Sequence, residues 1–216
     1  MKLHWSPNSP YVRKVLIAAI ETGLLARIEC VRSVVAMSAV NDAVQADNPL
    51  GKIPTLVTSD GQALYDSLVI CEYFSQLSPG NTLIPADPDA RLVALRWHAL
   101  GQGLTDLLIL WNNERNRPEH LRSTPHLEAF STKVHAALDR LESDLGQLPL
   151  HDFNLGHLGI GIALGYLDFR YADLPWRQGR PILESWAATI LARPSFVHTS
   201  PEAQAQPNWQ AAAQQK

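Results

Sequence analysis

Hydrophobic and polar positions change their spacing near residue 80 of this chain. Upstream, short alternating runs sit between stripes of helical period; downstream, only helical stripes are found. Lys2–Trp5 has a short strand pattern that stops at the turn-forming cluster Ser6-Pro7-Asn8. A punctuated helix follows, with Ser9 at the N-cap and Pro10 at the first helical position. Val12, Val15, Leu16, Ala19 and Ile20 form its apolar stripe, and Gly23 lies beyond its end. Residues 27–32 read as a second strand and residues 39–46 as a short helix. Residues 54–58 and 63–65 flank Ser59-Asp60-Gly61-Gln62, and Asp-Gly between apolar pairs signals a hairpin. Ser67–Leu77 returns to helical spacing.

The order β-α-β-α-β-β-α predicts an α/β unit, a mixed sheet covered by helices. Residues 79–90 hold three prolines and a glycine and read as a linker. Beyond it, residues 91–115 and 124–145 carry long apolar stripes. A third helix starts near Asn154 and a fourth runs from Pro181 to Leu191. The expected organisation is therefore a first domain over 1–78, an all-helical bundle over 91–200, and a loosely held Gln/Ala-rich tail over 201–216. Asn154, preceded by Phe153 and followed by His157 and Leu158, has the form of an N-cap with a hydrophobic staple. Gly156, Gly159, Gly161 and Gly165 each cost about 1 kcal/mol against Ala in a helix. Such a helix persists only where close packing compensates, which marks it as the central helix of the bundle.

A hydrophobic fraction of 46% in 216 residues supports a sizeable core. Eighteen basic against 21 acidic residues leave −3, with no basic stripe for nucleic acid and no polybasic segment for an anionic membrane. The start has no apolar signal stretch. The most continuous apolar run, 155–167, is shorter than the ~20 residues of a membrane span. A cytoplasmic protein is expected. Cys30 and Cys71 form neither a C-x-x-C pair nor a disulfide framework and read as inert core thiols. No metal is expected, since the eight histidines show no metal-binding spacing. No Gly-x-Ser-x-Gly elbow or Walker loop is found, and Gly159-Ile160-Gly161 follows no strand, as a dinucleotide motif would.

Three stretches carry the chemistry. They are Ser9-Pro10-Tyr11-Val12-Arg13-Lys14-Val15, Asn48-Pro49-Leu50-Gly51-Lys52-Ile53-Pro54-Thr55-Leu56, and Tyr65-Asp66-Ser67-Leu68-Val69-Ile70-Cys71-Glu72-Tyr73. Taken locally, Ser9 is a helix cap worth about 1 kcal/mol, Ile53-Pro54 a turn into a strand, and Asp66-Ser67 a second cap. In this order and spacing, the chain resembles a glutathione transferase over nearly its whole length. Gly165-Tyr166-Leu167-Asp168-Phe169-Arg170 and Arg193-Pro194-Ser195-Phe196 extend the likeness to bacterial members. The resemblance implies a thioredoxin-like first domain, an all-helical second one, a homodimer, and detoxifying transfer of glutathione to a small hydrophobic electrophile.

It also implies roles. A thiolate held at the Ser9 helix start gains a charge-assisted hydrogen bond of about 1.5–3 kcal/mol and roughly 0.3–1 from the dipole. That is enough to leave a thiol largely ionised at neutral pH. Ser9 would thus stabilise the glutathione sulfur, with Ser6 as the rival hydroxyl. Omega-class members place Cys where this chain has Ser9. Serine cannot form a mixed disulfide, so conjugation, addition or peroxide reduction by the glutathione thiolate is favoured over Cys-dependent thiol transfer. By the same resemblance Pro54 is a cis-proline and the Ile53 backbone pairs with the cysteinyl part of glutathione. Lys52 approaches the glycine carboxylate, Ser67 and its helix start bind the γ-glutamyl carboxylate, and Asp66 takes the α-ammonium. Tyr11, Trp97, His98, Leu104, Asn112 and Arg115 are candidates for the second-substrate pocket, or equally for core or dimer interface. A peroxidase or reductase at the same site and a non-catalytic binding protein of this fold are the alternatives.

Overall fold

A computed structural model describes residues 1–78, 80 and 83–214, which divide into two compact units, Met1–Ile84 with Pro194–Lys216 and Pro85–Arg193. The first unit begins β1 (Lys2–Trp5), α1 (Pro10–Glu21), β2 (Glu29–Arg32) and α2 (Asp42–Asp47). It continues β3 (Thr55–Val57), β4 (Ala63–Leu64) and α3 (Ser67–Leu77). This is the expected element order. The sheet order is β2-β1-β3-β4, with β1 parallel to β2 and antiparallel to β3, and β3 antiparallel to β4.

The reasons are local. Pro10 lacks the N–H that a helix start leaves unbonded, and Ser9 Oγ accepts the Val12 N–H at 3.3 Å. The stripe residues Val12, Val15, Leu16 and Ala19 are fully buried, and α1 packs against α3 through its buried Ile70, Cys71 and Phe74. Between β3 and β4, Gly61 takes φ +86°, which a side chain would resist. Thr58 closes the hairpin, its N–H and hydroxyl both donating to the Gln62 carbonyl.

The second unit is helical, as expected: α4 (Pro88–Arg115), α5 (Thr124–Asp144), α6 (Leu155–Arg170) and α7 (Pro181–Leu191). Every residue of α6 from Leu155 to Leu167 is buried. Its glycines admit α4 at close range. A Cβ on Gly156 would lie 2.8 Å from Trp97 Cβ, and one on Gly101 of α4 would lie 2.2 Å from the Gly159 carbonyl carbon. The α6 start is capped as the sequence suggests. Asn154 Oδ1 accepts the Gly156 N–H, and His157 Nδ1 accepts the Asn154 N–H at 3.2 Å. His157 Nε2 donates to the Pro149 carbonyl at 2.9 Å, so the ring is a neutral Nε2–H tautomer. Burial lowers its pKa, which keeps it neutral beside the positive helix end.

The chain then returns to the first unit through α8 (Pro194–His198), α9 (Pro201–Gln204) and α10 (Trp209–Gln214). The tail expected to be loosely held is anchored instead, as far as Gln214. Trp209 is buried and stacks on Trp5 with ring centroids 5.5 Å apart. Gln204 accepts from the Trp5 indole at 2.7 Å, and Gln210 donates to the Ile28 carbonyl at 2.6 Å. Gln204 and Gln210 thus pair with polar groups of the protein rather than with solvent. At the other boundary, Pro79, Asn81 and Thr82 of the expected linker lie outside the described residues. Leu83 and Ile84 are buried in the first unit, and Pro88 starts α4 behind an Asp87 cap.

Candidate functional site

Sheet register brings three segments to one end of the first unit. His4 of β1 pairs with Thr55 at the start of β3, and Leu56 pairs with Leu64 at the end of β4. The loop leaving β1, the turn entering β3 and the loop leaving β4 therefore emerge at the same end of the sheet. Helices α1 and α3 both begin there. Two helix N-termini, each with unbonded N–H groups and a positive dipole end, accompany one extended strand entrance.

Ser9 has extended backbone (φ −89°, ψ 116°), is half-buried, and donates its N–H to the Ser6 carbonyl at 3.3 Å. Ser6 is also half-buried, three residues earlier on the same loop. The first turn of α1 has no acidic residue, and the buried Arg13 and Lys14 occupy the fourth and fifth positions of the helix. Arg13 reaches the Phe196 carbonyl at 3.0 Å, tying the helix start to α8.

The Ile53-Pro54 peptide bond is cis, as the resemblance implies. Ile53 is buried and Lys52 is exposed. The Lys52 carbonyl accepts from Asn48 Nδ2 at 3.2 Å and from Thr55 Oγ1 at 2.8 Å, which fixes the backbone ahead of Ile53. At α3, Asp66 Oδ1 accepts the Leu68 N–H at 3.0 Å, while Ser67 at the first helical position is buried. Asp66 itself is exposed. The structure thus brings the segments carrying Ser6, Ser9, Lys52, Ile53, Pro54, Asp66 and Ser67 to one end of one sheet.

Burial pushes the thiols of Cys30 and Cys71 up to about 12, so neither supplies a thiolate near neutral pH. Any sulfur nucleophile here has to arrive with a ligand. Among the described residues, no group of three or more His, Cys, Asp or Glu could hold a metal ion. No helix of the described residues is long and apolar enough to cross a membrane.

The second-substrate candidates divide. Trp97, His98 and Leu104 are almost fully buried, and α6 glycines close on Trp97 and His98. Tyr11 and Asn112 are half-buried at the start of α1 and near the end of α4. Arg115 ion-pairs with Asp173 at 2.7 Å, and its guanidinium lies 4.8 Å from the Tyr171 ring centroid. With Trp111, Leu127, Ser131, Thr132 and Leu174 it borders an open groove of about 560 Å³ on the helical unit. The sequence conceals this groove because its wall combines α4, α5 and the segment after α6, whose relative rotation no periodicity reveals.

Comparison with known proteins accounts for both units. Residues 8–77 match the family model described as glutathione S-transferase, N-terminal domain, and residues 124–189 that of the glutathione S-transferase C-terminal domain. The GST-like protein YibF of Escherichia coli K12 is 34% identical over 203 residues, covering 93% of this chain and 98% of YibF. A glutathione transferase family member from Pseudomonas fluorescens Pf-5, solved with bound glutathione, is 41% identical with a TM-score of 0.89. That match covers 93% of this chain and 98% of the other. A second Pseudomonas fluorescens Pf-5 structure holds S-(propanoic acid)-glutathione, at 40% identity and a TM-score of 0.85 over the same shares. With both domains and nearly the whole length matched, the chain belongs to the glutathione S-transferase family.

Proposed function

We propose that this protein is a glutathione transferase in which the first unit binds glutathione and Ser9 stabilises its thiolate for attack on a small hydrophobic electrophile. The observation that carries the reading is the gathering of the Ser9 cap, the cis Ile53-Pro54 turn and the Asp66-Ser67 helix start at one end of the sheet. Glutathione is a short zwitterionic peptide, and this end offers a complement to each part. The N–H groups of α3 and the Ser67 hydroxyl suit the γ-glutamyl carboxylate, and the Asp66 carboxylate suits the α-ammonium. The Ile53 N–H and C=O suit the cysteinyl backbone as an added strand, with Lys52 toward the glycine carboxylate. The sulfur then lies at the α1 start, where the Ser9 hydroxyl and the helix dipole favour the charged form.

Both cysteines are protonated and Ser9 replaces the omega-class Cys, so the chemistry is that of the bound thiolate. The sulfur forms a bond to an electrophilic carbon and the leaving group departs with its electron pair. Arg115, which borders the open groove of the helical unit, stays a candidate for the second substrate. The bound S-(propanoic acid)-glutathione of the Pseudomonas fluorescens relative supports a site that tolerates a substituent on sulfur. We read the protein as a cytoplasmic homodimer of the detoxifying kind, with the first unit as its glutathione domain and the helical unit as its second domain.

The test is Ser9→Ala. Turnover with glutathione and an aryl halide should fall more than tenfold while glutathione affinity stays within a few-fold. An unchanged rate moves the role to Ser6 or to backbone N–H groups. Hydroperoxide turnover exceeding aryl-halide turnover would replace conjugation with peroxide reduction at the same site.

A further inference from the structure

Helix α2 is too short to hold itself. Six residues fall well below the roughly 12–15 that an isolated helix needs, and Val44 is its single buried residue. Its position must come from tertiary ties, and its last residue makes two. Asp47 Oδ2 accepts from Lys2 Nζ at 2.6 Å and from His4 Nε2 at 2.8 Å. The two ties differ in kind. The Lys2 side chain is 40% exposed and its attraction is screened, whereas the His4 side chain is 3% exposed. His4 is itself fixed from behind, its Nδ1 bonded to Ser33 Oγ at 2.8 Å, which also meets the Val31 carbonyl at 3.1 Å. These partners hold the Asp47 carboxyl below the usual range, so it is charged and can only accept.

The residue after Asp47 carries the tie onward. Asn48 is 1% exposed, accepts the Leu50 N–H at 3.0 Å, and donates to Thr55 Oγ1 at 2.9 Å and to the Lys52 carbonyl. Its own carbonyl accepts the Gly51 N–H at 2.8 Å. Lys52 adjoins Ile53, whose backbone is the proposed partner of the cysteinyl segment.

We infer that His4, through its bond to Asp47, is a positioning residue for glutathione: it clamps the end of α2 to β1, and Asn48 transmits that placement to the Lys52–Ile53 backbone. The inference rests on the proposed glutathione site. His4 touches no part of the ligand in this scheme, so it sets affinity rather than the chemical step. Losing it should weaken glutathione binding with little effect on turnover at saturation.

The experiment compares wild type with His4→Phe, Asp47→Ala and His4→Gln. Glutathione affinity is read by calorimetry, kcat and KM with an aryl halide, and folding by thermal melting. His4→Phe and Asp47→Ala should raise the Kd and KM for glutathione about tenfold with kcat within twofold. His4→Gln, whose amide can donate to Asp47, should recover most of the affinity. In Asp47→Ala the Leu50 and Gly51 amides should exchange about tenfold faster with solvent. Asp47 is partly exposed, so this variant serves where His4→Phe fails to fold. Unchanged Kd in a folded variant overturns the positioning role and leaves the glutathione site standing, as does a kcat that falls as far as affinity. Wild-type protein that does not bind glutathione overturns the proposed function, and this inference with it.

Discussion

Replacing Gly101 by Ala should destabilise the helical unit, although alanine is the better helix former. In an open helix interior the change gains about 1 kcal/mol. Here the new Cβ would lie 2.2 Å from the Gly159 carbonyl carbon and 2.4 Å from the Ile160 nitrogen. Both obstacles are backbone, which no rotamer change can move, so α4 and α6 must separate. Overpacking of this kind costs about 1–3 kcal/mol or more. With backbone as the obstacle the cost lies at the upper end of that range, so the net loss is roughly 2 kcal/mol, about 4–8 °C in melting temperature for a chain of this size. Gly103, two residues along the same helix, is the control. Its Cβ would meet nothing within 4 Å, so Gly103→Ala should gain about 0.5–1 kcal/mol. Urea and thermal denaturation of the two variants decide the matter by sign. A Gly101→Ala protein as stable as Gly103→Ala would refute the close approach of these helices.

Two further perturbations follow from the same structure. His157 is held neutral by burial and its pKa is lowered, so the folded state binds fewer protons than the unfolded chain as pH falls through the histidine range. The stability it contributes is full above about pH 6.5 and is lost progressively below it. His157→Gln keeps an acceptor and a donor for the same two bonds, and urea midpoints should show a flatter pH profile than wild type. Trp209→Ala removes the ring stacked on Trp5 and should cost about 3 kcal/mol in urea denaturation, where a loose tail would cost nothing measurable.

The elements of the first unit were legible because their signals are short-range. Ser9-Pro10 caps α1 and Asp60-Gly61 lies in the hairpin turn without help from distant residues. The pattern over 39–46 starts α2 three residues early. Its start signal is Asn41, whose side chain both accepts the Val44 N–H and donates to the Val34 carbonyl. At Asp87-Pro88 the same cap-and-proline pairing that announces α1 is masked by the linker-like run that two prolines upstream create. The tail misled for a different reason. Gln204 and Gln210 look like solvated positions until the carbonyls and the indole they satisfy are placed beside them.

Site residues follow the same division. Ser9, Pro54 and Ser67 are recognisable from motifs because each shapes its own backbone neighbourhood, as a helix cap, a cis turn and a helix start. Trp97, His98 and Leu104 mark an apolar face of α4, but periodicity cannot say what covers it; Gly156 and Gly159 bring α6 against Trp97 and His98. The tie from His4 to Asp47 spans 43 positions and leaves no local trace.

The ionisation of bound glutathione tests the central claim most directly. Titration of the thiolate absorbance in the protein–glutathione complex gives the pKa of the bound sulfur. The account predicts a bound thiol largely ionised at neutral pH in wild type and returned toward the solution value, near 8.5, in Ser9→Ala. A bound thiol that titrates as it does in water, or the same depressed value in both proteins, would contradict it.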